Sequence, residues 1–441
     1  MSVLIIIAGI LNLVVVFFFL GKASYSFFPV LIWWFFWLFI SSQSLTGIFV
    51  PHENTFLIFI FFLSSITCGG LLYKARLFRR MRLLEWQVVT DKPESSQYVY
   101  KVRNVLLALA YTTVLPIVAY FFIKSVMQIL SYDSLLGYRE YAFGIGGGSN
   151  IVFGNNRVMI LYNTFVMPLA YFFVFTGIAT FFKTKSRHMM LLGYSLIIMD
   201  ATMMLGRFGF YKILVLEAFR HYYCFRWFGK LRIGFFGLGG AIALIIPLLF
   251  FVSFREDSDF SFQKVLQDAL INYHTIGVSI FDDELNNKDS LLNQSLTLGI
   301  ASLGVLERAP VLLLLKPMGF DVTSKTIEIG SYLQEFRTIG FDEYGRKINA
   351  NAFHTALYPL YMDGRLFMVL LGGLVYGFFL AKYSRKDFET MNMLDFGVLF
   401  FLKYLGFFSI FQSEITGHFW LVLILLVLFH SRRARILVVI D

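Results

Sequence analysis

Apolar residues in this chain come in unbroken runs, and most runs end at a small group of Lys and Arg. A helix needs about 20 largely apolar residues to cross a bilayer. Stretches of this kind lie at roughly 3–20, 27–49, 54–73, 104–131, 156–182, 189–206, 208–224, 233–253, 361–381, 394–412 and 417–430. The pattern predicts an all-α polytopic membrane protein of about 11 transmembrane helices. The run 208–224 is short and broken by Arg220, which suits a tilted helix or one partly buried in protein.

One stretch departs from this pattern. Residues 255–360 are polar and acid-rich, and they predict a large loop containing interfacial helices. FQKVLQDALINY (262–273) puts Phe262, Val265, Leu266, Ala269, Leu270 and Tyr273 at helical spacing, as expected for a helix lying flat over the membrane. Residues 296–315 are long enough to cross but carry Glu307, Arg308 and Pro310. A crossing there would upset the parity of every later loop, so an interfacial or re-entrant segment is expected. The organisation is then one membrane domain: helices in 1–254, the loop 255–360, and helices in 361–441.

Charge orients the chain. Of 38 basic residues, 22 fall in short segments on one side: Lys22, eight from Lys74 to Arg103, and further groups near 183–187, 220–232, 382–386 and 432–435. The loop holds nine basic and fourteen acidic residues. The positive-inside rule places the N-terminus outside, the C-terminus in the cytoplasm and the loop extracytoplasmic. The net charge of +10 is therefore a topology signal that also meets anionic headgroups, and no nucleic-acid partner is expected. KARLFRRMRLLEW (74–86) reads as a stop-transfer flank, or as an amphipathic helix on the inner surface. The run 3–20 has no basic start and no small-residue cleavage site, so a retained helix is expected.

Composition agrees. The chain is 58% hydrophobic and 15% charged, whereas a soluble domain carries about 25% charged residues. Two cysteines, Cys68 and Cys224, exclude a disulfide framework. The motifs H-E-x-x-H, C-x-x-C, Walker A and G-x-S-x-G are absent. GIGGGSN (144–150) reads as a hairpin in an outer loop, and Asp282, Asp283 and Glu284 beside Asn286 and Asn287 read as a solvated turn. No metal and no cofactor are expected.

Candidate chemistry collects where the loop meets the bilayer. Arg157, Arg207, Arg308 and Arg365 sit at outer ends, with Arg337 and Arg346 further out. Arginine offers a rigid fork of donors to phosphate, so such a set suits a lipid pyrophosphate; interfacial snorkelling is the plain alternative. Gly206 and Gly209 flank Arg207 and let backbone or ligand approach closely. His354 is the candidate general base, since the ordinary range of a histidine suits that role near neutral pH. Asp363 lies nine residues later, which on one continuous helix is nearly the opposite face. Either a kink at Pro359 brings the two together, or only one is catalytic, or the pair is a buried His and a capping Asp.

Three features resemble the bacterial O-antigen and capsule repeat-unit polymerases (Wzy type), which are related to the O-antigen ligases. Many spans are interrupted by one large outer loop late in the chain. Arg207 stands in a G-R-x-G context. The loop ends in N-x-F-H-T-x-L-Y-P-x-Y-x-D-G, carried by Asn351, His354, Thr355, Tyr358, Pro359, Tyr361, Asp363 and Gly364. YHTIGVSIFDDEL (273–285) is similar to the usual start of that loop. Thr355 departs from the Asn that follows the His in the ligases, and Arg365 from their Gly.

The resemblance implies a metal-independent glycosyltransferase of the inner membrane. Its donor and acceptor would be oligosaccharide repeat units on undecaprenyl pyrophosphate. His354 and Asp363 would be catalytic. Arg157, Arg207, Arg308, Arg337, Asn351, Tyr358 and Tyr361 would hold pyrophosphate and sugar. Membrane lipid, a chain-length regulator and a flippase of the same pathway are the implied partners. An O-antigen ligase and a lipid-linked oligosaccharide flippase are the competing expectations.

Overall fold

The computed structural model describes residues 1–83, 96–131, 138, 151–206, 208–228, 267–342, 344–351, 354–384, 391–417 and 419–430. The chain is an all-α membrane protein, with one small β-hairpin among the described residues. Among the described residues, five helical stretches are long and apolar enough to cross a membrane: Ser2–Ser41, Glu53–Arg76, Tyr98–Ser131, Arg157–Thr184 and Leu357–Ser384. His188–Met203 and Trp420–His430 are shorter apolar helices. Phe208–Phe228 and Met393–Phe408 are helical as well. The expected span at 233–253 lies outside the described residues. The chain divides into two compact units. The first comprises 1–91, 266–387 and 405–420, and the second 92–265, 388–404 and 421–441.

In the first unit, Ser2–Ser41 folds back on itself. As one straight helix its 40 residues would be about 60 Å long. Instead a tight turn at Gly21–Ala23 separates Ser2–Leu20 from Ser24–Ser41, and Ser2 Oγ lies 2.9 Å from Ser42 Oγ. Glu53–Leu83 joins this hairpin through Asn12, which donates to Ser64 Oγ at 3.2 Å and accepts from Thr67 Oγ1 at 2.7 Å. Leu357–Ser384 runs parallel to Glu53–Leu83. Gly373 lies against Phe62 and Ser65, Gly377 against Ile66, and Gly69 against Leu374. These contacts leave no room for a Cβ, so backbone meets backbone as in small-x-x-x-small pairing within lipid.

A cap of non-spanning elements closes one end of these helices. Helix Tyr273–Asn286, hairpin strands Arg337–Phe341 and Lys347–Ala350, and the linker 42–52 share a small apolar core of Ile48, Ile276, Ile280, Ile339 and Ala350. The linker adds to the hairpin edge: Phe49 donates its N–H to Ile339 O at 2.8 Å, and Phe341 to Gly47 O at 3.0 Å. The cap, the start of the first helix and the start of Glu53–Leu83 therefore share one end of the helices. The turn holding Lys22 lies at the other end, where Lys74 donates to Phe19 O and Arg76 stacks on Phe378.

The second unit pairs Met167–Thr184 with His188–Met203 by the same device. Gly177 abuts Met190, and Gly193 abuts Val174. Single π-turns interrupt its longer helices at Ala110–Val114 and Tyr162–Val166.

Candidate functional site

Helix Tyr273–Asn286 continues directly from a π-turn at Gln267–Asn272 and carries all of Asp282, Asp283 and Glu284. The solvated turn expected at these acids is thus a helix end, with Asp282 and Glu284 buried. Two residues along a helix rotate a side chain by about 200°, so the two acids face opposite ways. Asp282 caps Glu53–Leu83. It accepts from His52 N at 2.8 Å and from Thr55 Oγ1 at 2.6 Å, and lies 3.0 Å from His52 Nδ1. A carboxylate at that helix start is favoured by the helix dipole.

Glu284 faces the hairpin. Its carboxylate pairs with Arg337 and accepts from Tyr332 Oη at 2.9 Å and Tyr358 Oη at 3.1 Å. Burial opposes the Arg337 charge, but attraction to Glu284 outweighs it and raises the guanidinium pKa. Burial, with the neighbouring Glu284 charge adding, also raises the Tyr332 phenol. Two expected substrate contacts, Arg337 and Tyr358, are thereby brought together, and both are engaged on Glu284.

The loop returns to the helices at His354. His354 pairs through its backbone with Gln412, Ala356 donates to Ser409 O at 2.7 Å, and the His354 and Tyr358 rings are 6.0 Å apart. Thr355 is buried, and its Oγ1 accepts from Leu357 N at 3.2 Å at the start of the last long helix. Pro359 sits in that first turn, where its missing N–H costs no helical hydrogen bond. The break falls at Gly364 and Arg365 instead, with Arg365 at φ 54°.

Asp363 lies just before this break and is 2% exposed. Its Oδ1 accepts from Thr297 Oγ1 at 2.6 Å and from the N–H groups of Gly299 and Ala301 at 2.9 Å. Its Oδ2 accepts from Ser302 N at 2.9 Å. Both oxygens are committed to 297–302. The arrangement matches the expectation of a capping Asp, and these bonds direct Asp363 to the loop backbone. Arg365 donates to Leu292 O and, at 2.7 Å, to Asn293 O, and lies over the Tyr361 ring.

A third segment, 409–417, completes this junction. Gly304 presses against Thr416, and Trp420 Nε1 donates to Ser302 O at 2.7 Å. Ser302 Oγ, Arg308 Nε, Gln412 Oε1 and Ser413 Oγ are buried and have no hydrogen-bond partner among the described residues. Burial pushes the Arg308 pKa down, partly offset by Glu307. A buried polar group left unpaired costs about 1–3 kcal/mol, so such groups collected on adjoining segments can bind a polar ligand or water. Both donors and acceptors are present, as a ligand bearing hydroxyls and anionic oxygens requires.

The remaining expected residues are placed elsewhere or not described. Asn351 Nδ2 donates to Gln334 O at 2.8 Å, and Tyr361 packs edge-on to Phe281. Arg157 is exposed in the second unit, in a helix start capped by Asn155. Arg207 and the Gly-rich 144–150 lie outside the described residues. Among the described residues no group of three or more His, Cys, Asp and Glu is placed to hold a metal ion.

Sequence reasoning missed Glu284, Gln412 and Ser413, whose partners are remote in sequence. It also sought charged candidates only at outer helix ends and in the loop. The second unit instead carries ionisable residues among its apolar helices. Tyr162 donates to Asp200 at 3.1 Å, Lys212 to Tyr171 Oη at 3.2 Å, and Tyr194 to Glu217 at 2.8 Å, while Arg220 pairs with Glu217 at 2.6 Å. The helical spacing of Asp200, Lys212 and Glu217 within apolar runs was the available signal.

Comparison with protein-family models, with curated proteins and with solved structures finds no match to this chain.

Proposed function

We propose that this chain is a membrane-embedded, metal-independent glycosyltransferase that joins repeat units carried on undecaprenyl pyrophosphate, in the manner of O-antigen and capsule polymerases. The observation that carries this reading is the loop–helix junction: half-buried His354 pairs through its backbone with Gln412, and Ser302, Arg308, Gln412 and Ser413 hold buried polar atoms without hydrogen-bond partners among the described residues. In this reaction the acceptor hydroxyl loses its proton to His354 and attacks the donor anomeric carbon. The bond from that carbon to the pyrophosphate oxygen breaks, and the lipid pyrophosphate leaves. Arginines at the junction offset the developing negative charge. Asp363 holds 297–302, and Arg308 with it, in place.

The wider reading includes about 11 spans, an outer N-terminus, an extracytoplasmic loop and location in the bacterial inner membrane. It is supported by the first unit, where cap and N-terminus share one end while Lys22 and Lys74 lie at the other. A flippase for lipid-linked oligosaccharide is the second reading, favoured by the buried Lys212 and Arg220 and the half-buried Asp200 and Glu217 among apolar helices. The deciding experiment gives purified protein in nanodiscs a lipid-pyrophosphate-linked repeat unit. A nanodisc has no sealed compartments, so a ladder of longer glycans supports the polymerase, and an unchanged unit rejects it. Product formed only when lipid A core is supplied points to a ligase.

A further inference from the structure

The segment 296–322 presents an apolar surface that its own fold does not cover. Leu298 is 80% exposed, Met318 70% and Leu314 60%, with Leu296 and Phe320 also exposed. Leu298 is held outward by its neighbours. Thr297 donates its N–H to Met362 O at 3.0 Å, and Gly299 donates to Asp363 at 2.9 Å. Leu298 itself has φ 50°, a left-handed conformation that favours glycine. The exposed side chain is thus presented by fixed backbone on both sides.

Three further observations say what covers this surface. The segment is tied at Asp363 to the cap end of Leu357–Ser384, and the lipid-facing surface of that span begins just beyond the break, where Phe367 is 71% exposed. Leu298 therefore continues an existing hydrocarbon-facing surface. Residues 296–322 contain two acids: Glu307, whose carboxylate turns inward to Ser324 Oγ at 2.7 Å and Lys325 N at 3.0 Å, and Asp321, exposed at the segment's far end. Lys316 is exposed within the segment, as a surface meeting anionic headgroups requires. Finally, the segment cannot cross. It is cut into Ile300–Leu303, Val305–Pro310 and a π-turn, with Gly304 at φ 53° between the first two.

We infer that 296–322 is a wedge inserted from the cap into the adjoining lipid leaflet, with Leu298, Leu314 and Met318 among the acyl chains and Lys316 reaching the phosphates. This docking surface for lipid is independent of the glycosyl-transfer reading, because it requires only that Leu357–Ser384 spans the bilayer. It fixes the height of the junction at the headgroup layer.

The test uses the full chain with Cys68→Ser and Cys224→Ser, reconstituted in phosphatidylethanolamine–phosphatidylglycerol vesicles. An environment-sensitive fluorophore is attached at Leu298→Cys, at Met318→Cys and, as a control, at the exposed Asp289→Cys. The expected result is blue-shifted emission at 298 and 318, quenched by lipids with a nitroxide on the acyl chain and shielded from aqueous iodide. The control should show the reverse. Iodide quenching at 298 and 318 equal to that at 289 would overturn the inference. So would shielding from both quenchers together with cross-linking at 298, which would assign the surface to a protein partner. Met318→Cys is a mild change at an exposed site, so its signal remains readable if Leu298→Cys perturbs folding.

Discussion

Tyr358 Oη donates to Glu284 Oε2 across 3.1 Å, and this bond joins the cap to the first turn of the helix that follows the loop. The same carboxylate holds Arg337 of the hairpin and Tyr332 of helix Lys325–Leu333. One buried acid therefore ties together the hairpin, helix Lys325–Leu333 and the first turn of the following helix, and its partner Tyr358 stands four residues along the chain from His354.

Removing one partner of a buried ion pair leaves the other uncompensated, at a cost of about 3–5 kcal/mol. Glu284→Ala and Arg337→Ala should each lower the unfolding midpoint of the detergent-solubilised protein strongly. Replacing both, as Glu284→Gln with Arg337→Met, should recover a large part of the loss. Equal destabilisation in single and double variants would show that the pair does not hold the cap.

His274 gives a pH dependence. Its ring stacks on Trp37 at 4.1 Å and meets Trp33 and Phe411 edge-on. Burial pushes its pKa down to about 4, although Nδ1 donates to Leu270 O at 2.6 Å. The fold favours the neutral ring, so its contribution is present above the unfolded value of about 6.5 and is lost as pH falls toward 4. Stability should drop by about 3 kcal/mol over that window. Denaturation at stepped pH should show this slope in the wild type and a flatter one in His274→Phe. Identical slopes would remove His274 as the cause.

The helix contacts made through glycine are equally testable. Gly377→Val would drive a branched side chain into the Ile66 backbone and should abolish folded protein on size-exclusion chromatography. Gly330, inside helix Lys325–Leu333 with open space at its Cβ position, should instead gain up to about 1 kcal/mol on mutation to Ala. A tolerated Gly377→Val would mean the two helices are not in backbone contact.

His354 and Asp363 should separate kinetically. Loss of a general base costs about 10²–10⁴ in rate, so His354→Ala should lower kcat with little change in melting temperature. Asp363→Asn weakens four hydrogen bonds that order 297–302, so it should lower the melting temperature as well as activity. A chelator should leave both rates unchanged. Full activity in His354→Ala, or activity lost to EDTA and restored by a divalent cation, would redirect the search to the acids around Asp282.

Much of the helical layout is readable from unbroken hydropathy. The apolar runs 3–20, 54–73 and 361–381 lie within the helices Ser2–Leu20, Glu53–Leu83 and Leu357–Ser384. The run 27–49 overshoots, because Ser42 to Val50 is apolar enough to extend the pattern but forms the linker that pairs with the hairpin. The segment 296–315 is interrupted as its Glu, Arg and Pro foretold, although the main break is at Gly304. The polar contacts were not legible. Asp282 and Glu284 stand two residues apart in a run that reads as a solvated turn, and only their partners, His52 at one side and Arg337 at the other, show them to be internal. A kink at Pro359 is one alternative the residue types offer, yet a proline in a first turn disturbs nothing, and the break falls at Gly364 and Arg365, just after Asp363 bonds to 297–302.

The most direct test of the central claim counts bonds. Protein in nanodiscs is given a lipid-pyrophosphate-linked repeat unit labelled in the pyrophosphate, and free lipid pyrophosphate is measured against new glycosidic linkages. The account predicts one lipid pyrophosphate released for each linkage formed by the wild type, and a release rate reduced by about 10²–10⁴ in His354→Ala. No release by wild-type protein, while the same protein in sealed vesicles moves the intact lipid-linked unit between leaflets, would contradict it and identify a transporter instead.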